Sequence, residues 1–202
     1  MIAILDYGVG NLLSIQNMLK KGGIPMRVTK DPQVIIDAEK LILPGVGHFQ
    51  HCMVEFNKSG LRHLVEKEVL EHKKPILGVC VGHQMLFEHS EEGNVAGLGW
   101  LKGSVVRFDK SKMPPNLKIP HMAWTDTTPI NDPILMKDII ETRFYFVHSY
   151  HVVCNPILVS AMASYGYDFV AAVNFENIYG VQFHPEKSHK FGMQLYKNYA
   201  VL

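Results

Sequence analysis

Short apolar runs alternate with amphipathic stretches through the N-terminal half of the chain. The run "IAILDY" has the continuous apolar character of a strand buried on both faces. From Asn11 to Lys21 apolar positions recur at helical spacing and stop at the pair Gly22–Gly23, a helix-ending signal. "MRVT" and "KLILPG" predict two further strands, and Phe49 to Glu71 a long helical region. Ile76, Leu77 and Val79 then suit a short buried strand, and Val81, Met85 and Leu86 a helix directly after it. Strand and helix in regular alternation predict an α/β fold with a mostly parallel, doubly wound sheet.

After Glu91 the rhythm changes. "VVRF", "RFYFVHSY", "ILVSAMAS", "FVAAVNF" and "IYGVQF" are closely spaced strand candidates separated by turn residues. Such spacing predicts antiparallel C-terminal additions rather than further βαβ units. Helix returns from Ser188 to Tyr199, and "KSKMPPNLKIP" (Lys110 to Pro120) reads as a surface loop. The pattern contains neither an internal repeat nor a low-complexity tract, and the expectation is one domain over residues 1–202.

Composition narrows the setting. With 202 residues, 47% hydrophobic and 19% charged, the chain can bury a full core. No apolar stretch approaches membrane-spanning length, and the N-terminus "MIAILDYG" lacks the basic start and cleavage site of a secretory signal, so a cytoplasmic protein is expected, with no membrane partner. A formal charge of +1 without a basic run interleaved with aromatics gives no reason to invoke nucleic acid. The three cysteines, Cys52, Cys80 and Cys154, lack C-x-x-C spacing, which argues against a disulfide framework and a structural zinc site. Cys52 and Cys154 read as small hydrophobes.

Cys80 differs, because "GVCVG" places it between Gly78 and Gly82 at the predicted strand-to-helix corner. Glycines there remove the Cβ atoms that would collide in a sharp turn, so the thiol projects from the top of the sheet at a helix N-terminus. A nucleophilic cysteine also needs a base. "GVQFHPEKS" supplies one directly after a predicted strand: Pro185 stiffens the chain, and His184 and Glu186, two apart, can present their side chains together, the carboxylate fixing the imidazole tautomer. Each motif alone also suits a packed turn or a strand end. "LILPGVGHF" adds a third element, since Gly45, Val46 and Gly47 end another strand with backbone N–H groups free to face a developing oxyanion. Nucleophile, base, orienting carboxylate and anion hole are then all present.

"LPGVGHF", "GVCVGHQMLFE" and "QFHPEKS", in this order and spacing, resemble the class I, triad-type glutamine amidotransferases. "DYGVGN", "IPHMAW" and "FYFVHSY" narrow the likeness to glutaminase subunits of imidazole glycerol phosphate synthase, over essentially the whole chain. The resemblance implies that Cys80 attacks the side-chain amide of L-glutamine, with His184 as base and acid and Glu186 as orienting carboxylate. It implies oxyanion donors among Gly45, Val46, Gly47 and Val81, and substrate contacts at Gln84, Ser149 and Tyr150. Asn11, Trp124, Tyr145 and Lys187 match positions at the contact with a (β/α)₈ barrel synthase subunit, the expected heterodimer partner. Ammonia would pass along that barrel to make imidazole glycerol phosphate, an aminoimidazole carboxamide ribotide and glutamate.

Some motifs carry less. "GVGN" echoes a dinucleotide fingerprint but has Leu13 where the third glycine belongs, and the H-x-E of His184 and Glu186 is followed by no P-C-x-x-C of a zinc deaminase. No metal and no cofactor are expected. "EHSEEGN" (Glu88 to Asn94) reads as a solvated charge run. The chain departs from the family pattern at Ala123 and Thr125, where Gly and Asn are usual around the tryptophan, and at Val81 and His83, where Leu and Met are usual. These leave open a paralogue supplying ammonia to amidino-sugar synthesis for surface polysaccharides; a cysteine hydrolase or chaperone of related fold is a further alternative.

Overall fold

The computed structural model describes residues 1–131 and 133–202. Its strands, in chain order, are β1 (Ile2–Leu5), β2 (Met26–Thr29), β3 (Lys40–Gly45), β4 (Ile76–Cys80), β5 (Phe87–Ser90), β6 (Val95–Ala96) and β7 (Leu101–Arg107). They continue as β8 (His121–Pro129), β9 (Arg143–His148), β10 (Tyr150–Cys154), β11 (Val159–Tyr165), β12 (Tyr167–Phe175) and β13 (Ile178–Val181). The α-helices are α1 (Leu12–Lys21), α2 (Pro32–Asp37), α3 (Phe49–Lys58), α4 (Arg62–Glu66), α5 (Val81–Met85) and α6 (His189–Ala200).

One half of the sheet is parallel, in the order β2-β1-β3-β4-β13. All of its strands except the edge strand β2 are buried throughout, as their continuous apolar runs require. The chain steps one way from β1 to β2 and the other way from β2 through β3 to β4, so right-handed crossovers put α1 and the pair α2 and α3 on opposite faces. α6 packs beside α1, and α3 beside α5. The shared hydroxyl of Tyr199 ties α6 to the carbonyls of Leu41 (2.6 Å) and Pro75 (2.9 Å) at the start of β3 and β4. The other half adds β12, β10, β7, β5 and β6, all in antiparallel pairings except β5 with β7, and β11, β8 and β9 branch from β12.

Several elements depart from the sequence expectations. The long helical region breaks at Ser59–Leu61, where Gly60 adopts φ 75°, and ends in a π-type turn over Lys67–Glu71. The helix after Cys80 stops at Met85 because Phe87 is drawn into pairing with Leu101 on β7. α2 was not expected, although Asp31 caps it by accepting the Gln33 N–H at 2.8 Å with Pro32 at its first position. "RFYFVHSY" divides at Ser149 into β9 and β10. β8 was missed because "HMAWTDTTP" lacks the alternation of a half-buried strand.

The core holds four histidines whose charged form burial disfavours. His83, at the family's usual methionine position, is fully buried, lies edge-on to Phe87 at 5.6 Å, and has no hydrogen-bond partner at either ring nitrogen among the described residues. Burial pushes it down to about 3 and His121 down to about 4, and burial also lowers His148 and His151. Below about pH 6.5 the unfolded chain therefore binds more protons than the folded one, so stability falls as pH falls from there towards 4. His83→Met is expected to raise stability at neutral pH by about 1–3 kcal/mol, by removing an unpaired buried imidazole, and to flatten the acid decline. Urea titrations from pH 7 to pH 4 check this; an unchanged slope would show that His83 does not contribute.

Candidate active site

The C-terminal ends of β3, β4 and β13 lie side by side, with Gly45 in register with Cys80. Cys80 is the last residue of β4 and turns straight into α5 at φ 56° and ψ −110°, a strained conformation for a residue with a Cβ. The turn closes only because its neighbours lack side chains. A Cβ on Gly82 would collide with the Leu43 carbonyl, and one on Gly45 with the Gly82 N–H. These contacts press α5 onto the end of β3 and hold the thiol at the top of the sheet.

His184 follows β13, and its neighbourhood is tied to β9. The His184 N–H donates to the Tyr145 carbonyl (2.9 Å), and the Ser188 hydroxyl donates to the His184 carbonyl (2.6 Å) while accepting the Tyr145 N–H (3.0 Å). The single turn Pro185–Lys187 brings Glu186 back, with Oε1 2.8 Å from His184 Nδ1. Because a carboxylate only accepts, Nδ1 carries the proton and Nε2 is left for the cleft. Both side chains are nearly sealed from solvent, at 3% and 1%. Burial works against the imidazolium, but the negative charge of a Cys80 thiolate and the bond to Glu186 outweigh it and raise His184 to about 10.

A cleft of about 300 Å³ opens over this corner. Of the residues expected at the site, Val46, Gly47, Cys80, Val81, Gln84, Ser149, Tyr150, His184 and Lys187 line it. Gly45 lies beneath it, at the end of β3, and Glu186 lies behind His184. The Gln84 amide donates both to the Tyr150 carbonyl (3.0 Å) and to Gln182 Oε1 (2.9 Å). The strand before Gly47 is clamped from the core, with the Tyr7 hydroxyl on the Pro44 carbonyl (2.6 Å) and the Cys52 thiol on the Val46 carbonyl (3.3 Å). Burial holds that Cys52 thiol up at about 11, so it stays a donor. Across a planar trans peptide the Gly47 N–H then points away from Cys52.

The residues expected at a partner contact form two groups. Trp124 and Tyr145 are cross-strand neighbours on β8 and β9, 6.2 Å apart, with Lys187 Nζ 5.7 Å from the Tyr145 ring. His189 stacks on Trp124 at 5.3 Å and 3°. Asn11 stands elsewhere, at the head of α1, and its amide donates to Glu186 Oε1 at 3.1 Å. It therefore touches the carboxylate behind His184, a contact that the sequence reading did not anticipate.

Three polar residues at the site were missed, one of them His148, which lines the cleft beside Ser149. Glu92, read as part of a solvated run, lines the cleft and accepts the Phe49 N–H at the start of α3 (2.8 Å). The run "SEEGN" gave no sign of this, because Glu92 reaches the site through the long-range pairing of β5 with β7. Gln182 is fully buried with its amide 3.9 Å from Cys80 Sγ; a glutamine among the apolar residues just before His184 was the available signal.

The family model described as glutamine amidotransferase class-I matches residues 3–201. Imidazole glycerol phosphate synthase subunit HisH 2 of Pseudomonas aeruginosa is 47% identical over 204 residues, covering 100% of both chains. Subunit HisH of Bdellovibrio bacteriovorus is 46% identical over 99% of both. Among solved structures, one described as a glutamine amidotransferase superposes with a TM-score of 0.73 at 19% identity, covering 99% of this chain and 96% of that one. PurLQS from Thermotoga maritima gives 0.73 at 18% identity, covering 98% and 95%; at such identity these two speak for the fold. The full-length match to the family model, together with relatives above 45% identity, shows that the chain belongs to the class I glutamine amidotransferase family, among the HisH subunits.

Proposed function

We propose that the chain, as one amidotransferase domain over residues 1–202, is the cytoplasmic glutaminase subunit of imidazole glycerol phosphate synthase. It hydrolyses L-glutamine through Cys80, His184 and Glu186 and passes ammonia to a (β/α)₈ barrel synthase subunit in histidine biosynthesis. The observation that carries the reading is the convergence of a strained cysteine corner and a buried His184–Glu186 pair on one cleft. Among the described residues no helix is long and apolar enough to cross a membrane.

In this reading the Cys80 thiolate adds to the side-chain carboxamide carbon of glutamine, and the carbonyl oxygen takes the negative charge. The Val81 N–H, at the first turn after the nucleophile, faces that oxygen, and an amide of the Gly45–Gly47 segment completes the anion hole when the barrel is bound. His184 gives its proton to the amide nitrogen, ammonia leaves, and a thioester remains. His184 then takes a proton from water as the water attacks the thioester, and glutamate departs with regeneration of Cys80. Glu186 holds the tautomer that makes both transfers possible. Gln84, Ser149 and Tyr150 hold the substrate, and the Glu92 carboxylate suits its α-ammonium group. The barrel docks on the face carrying Trp124, Tyr145 and Lys187, with Asn11 linking α1 to the triad.

Cys80→Ala is expected to abolish glutamine-dependent synthase turnover in the complex while leaving ammonium-dependent turnover intact; equal loss of both would make Cys80 structural. Glu186→Gln should lower kcat for glutamine by about a hundredfold or more while changing KM by less than about threefold. Single-turnover thioester formation measures the difference, and the opposite split would remove the orienting role. The isolated chain should hydrolyse glutamine slowly. Titration with the histidine-pathway barrel and its acceptor nucleotide should raise turnover about a hundredfold, the worth of one well-placed oxyanion donor. Activation only by a sugar-pathway barrel would shift the assignment to the amidino-sugar reading.

A further inference from the structure

From β8 into the wall of the cleft formed by His148, Ser149 and Tyr150 runs a chain of buried polar groups that the reaction scheme leaves unused. His148 Nδ1 lies 2.8 Å from the Tyr150 carbonyl, His148 Nε2 lies 3.0 Å from His121 Nδ1, and His121 Nε2 lies 2.8 Å from the Thr125 hydroxyl. The Tyr150 carbonyl can only accept, so His148 carries its proton on Nδ1 and offers Nε2 as an acceptor. His121 must then donate from Nδ1, which leaves its Nε2 to accept the Thr125 O–H. Every bond in the series therefore points the same way, from Thr125 to Tyr150.

The rings have little freedom to break that order. His121 is fully buried and sandwiched between Tyr165 (4.2 Å, 22°) and Phe146 (5.1 Å, 24°). His148 is packed against Phe108 (5.2 Å) and Phe169 (5.1 Å). Burial disfavours the charged form of both, and the nearby His184 charge adds to this at His148, so the neutral tautomers persist. At the far end the Tyr150 carbonyl also accepts the Gln84 amide, and Ser149, Tyr150 and Gln84 all line the cleft. At the near end Thr125 directly follows Trp124 on β8, with its side chain on the opposite face of the strand.

We propose that Thr125, His121 and His148 form a directed hydrogen-bond relay that positions the Tyr150 carbonyl, and with it the glutamine-holding wall of the cleft. His121 and His148 are positioning residues: they act on substrate through Tyr150 and Gln84, not on the reacting atoms. The proposal rests on the reading of the cleft as a glutaminase site. Thr125 is one of the positions where the chain departs from its family pattern, so the relay's first donor is a hydroxyl here rather than an amide.

The test has two parts. In the full chain with 15N-labelled histidine, NMR at neutral pH should show His121 and His148 both as Nδ1–H tautomers; an Nε2–H form or an imidazolium at either would overturn the relay. In the complex with the barrel subunit, Thr125→Val keeps the shape and removes the donor. It is expected to raise KM for glutamine about three- to tenfold, the loss of one buried hydrogen bond, with kcat within about twofold, and Thr125→Ser should restore KM. An unchanged KM in Thr125→Val, or no rescue by serine, would overturn the positioning role. If the wild-type complex had no glutaminase activity, the site reading itself would fall and the positioning role with it. A failed relay looks different, because wild type then turns over normally and Thr125→Val matches it.

Discussion

The close approach of α5 to the end of β3 is the constraint on which the rest of the site depends. Leu43 carbonyl against Gly82, and the Gly82 N–H against Gly45, leave no space for a Cβ at either glycine. That contact forces Cys80 into its left-handed corner, sets Val81 at the head of the helix, and places the Val46–Gly47 segment beside the sulfur. The strain at Cys80 is a modest local cost, about 1–3 kcal/mol, held by a sheet whose neighbouring strands are buried on both faces. A single side chain added at Gly82 would disturb the nucleophile and the anion-facing segment together.

The partner of that corner is held by different means. His184 is fixed by hydrogen bonds to Tyr145 and Ser188 and by Glu186, while α6 continues immediately from the same turn. Gly192 allows α6 to lie against the Pro185 carbonyl, where a Cβ would collide. Cys80 and His184 thus sit at the ends of adjacent parallel strands but are tied to separate halves of the sheet, Cys80 to β3 and His184 to β9. Tyr145 connects the second tether to the surface patch of Trp124, Lys187 and His189, so a displacement of β9 would be felt at the His184 imidazole.

How much of this was legible in the sequence follows the range of the interactions. The parallel strands and the corner at Cys80 were readable because apolar runs and glycine spacing are local signals. The triad candidates were readable because Cys80 and His184 each sat at or just beyond the end of an apolar strand run, with Glu186 two residues further on. What escaped depended on distant pairing. β8 hides in a polar run and becomes a strand only against β9 and β11. Glu92 reaches the cleft through the placement of β5, and Asn11 meets Glu186 across most of the chain. The ordering of His121 and His148 needs three elements in register, which no spacing along the chain encodes.

The clamp that Cys52 places on Val46 has a bearing on chemical durability. Cys52 is sealed in the core and its thiol is held up at about 11, and burial likewise pushes Cys154 up to about 11. At neutral pH both remain protonated and poorly nucleophilic. Cys80 alone combines an opening to the cleft with an adjacent imidazole. Peroxide or an alkylating metabolite would therefore spend itself on one sulfur, while the fold and its outer faces stay intact. Under the proposed function, such a molecule would keep its place in an assembly and simply stop supplying nitrogen.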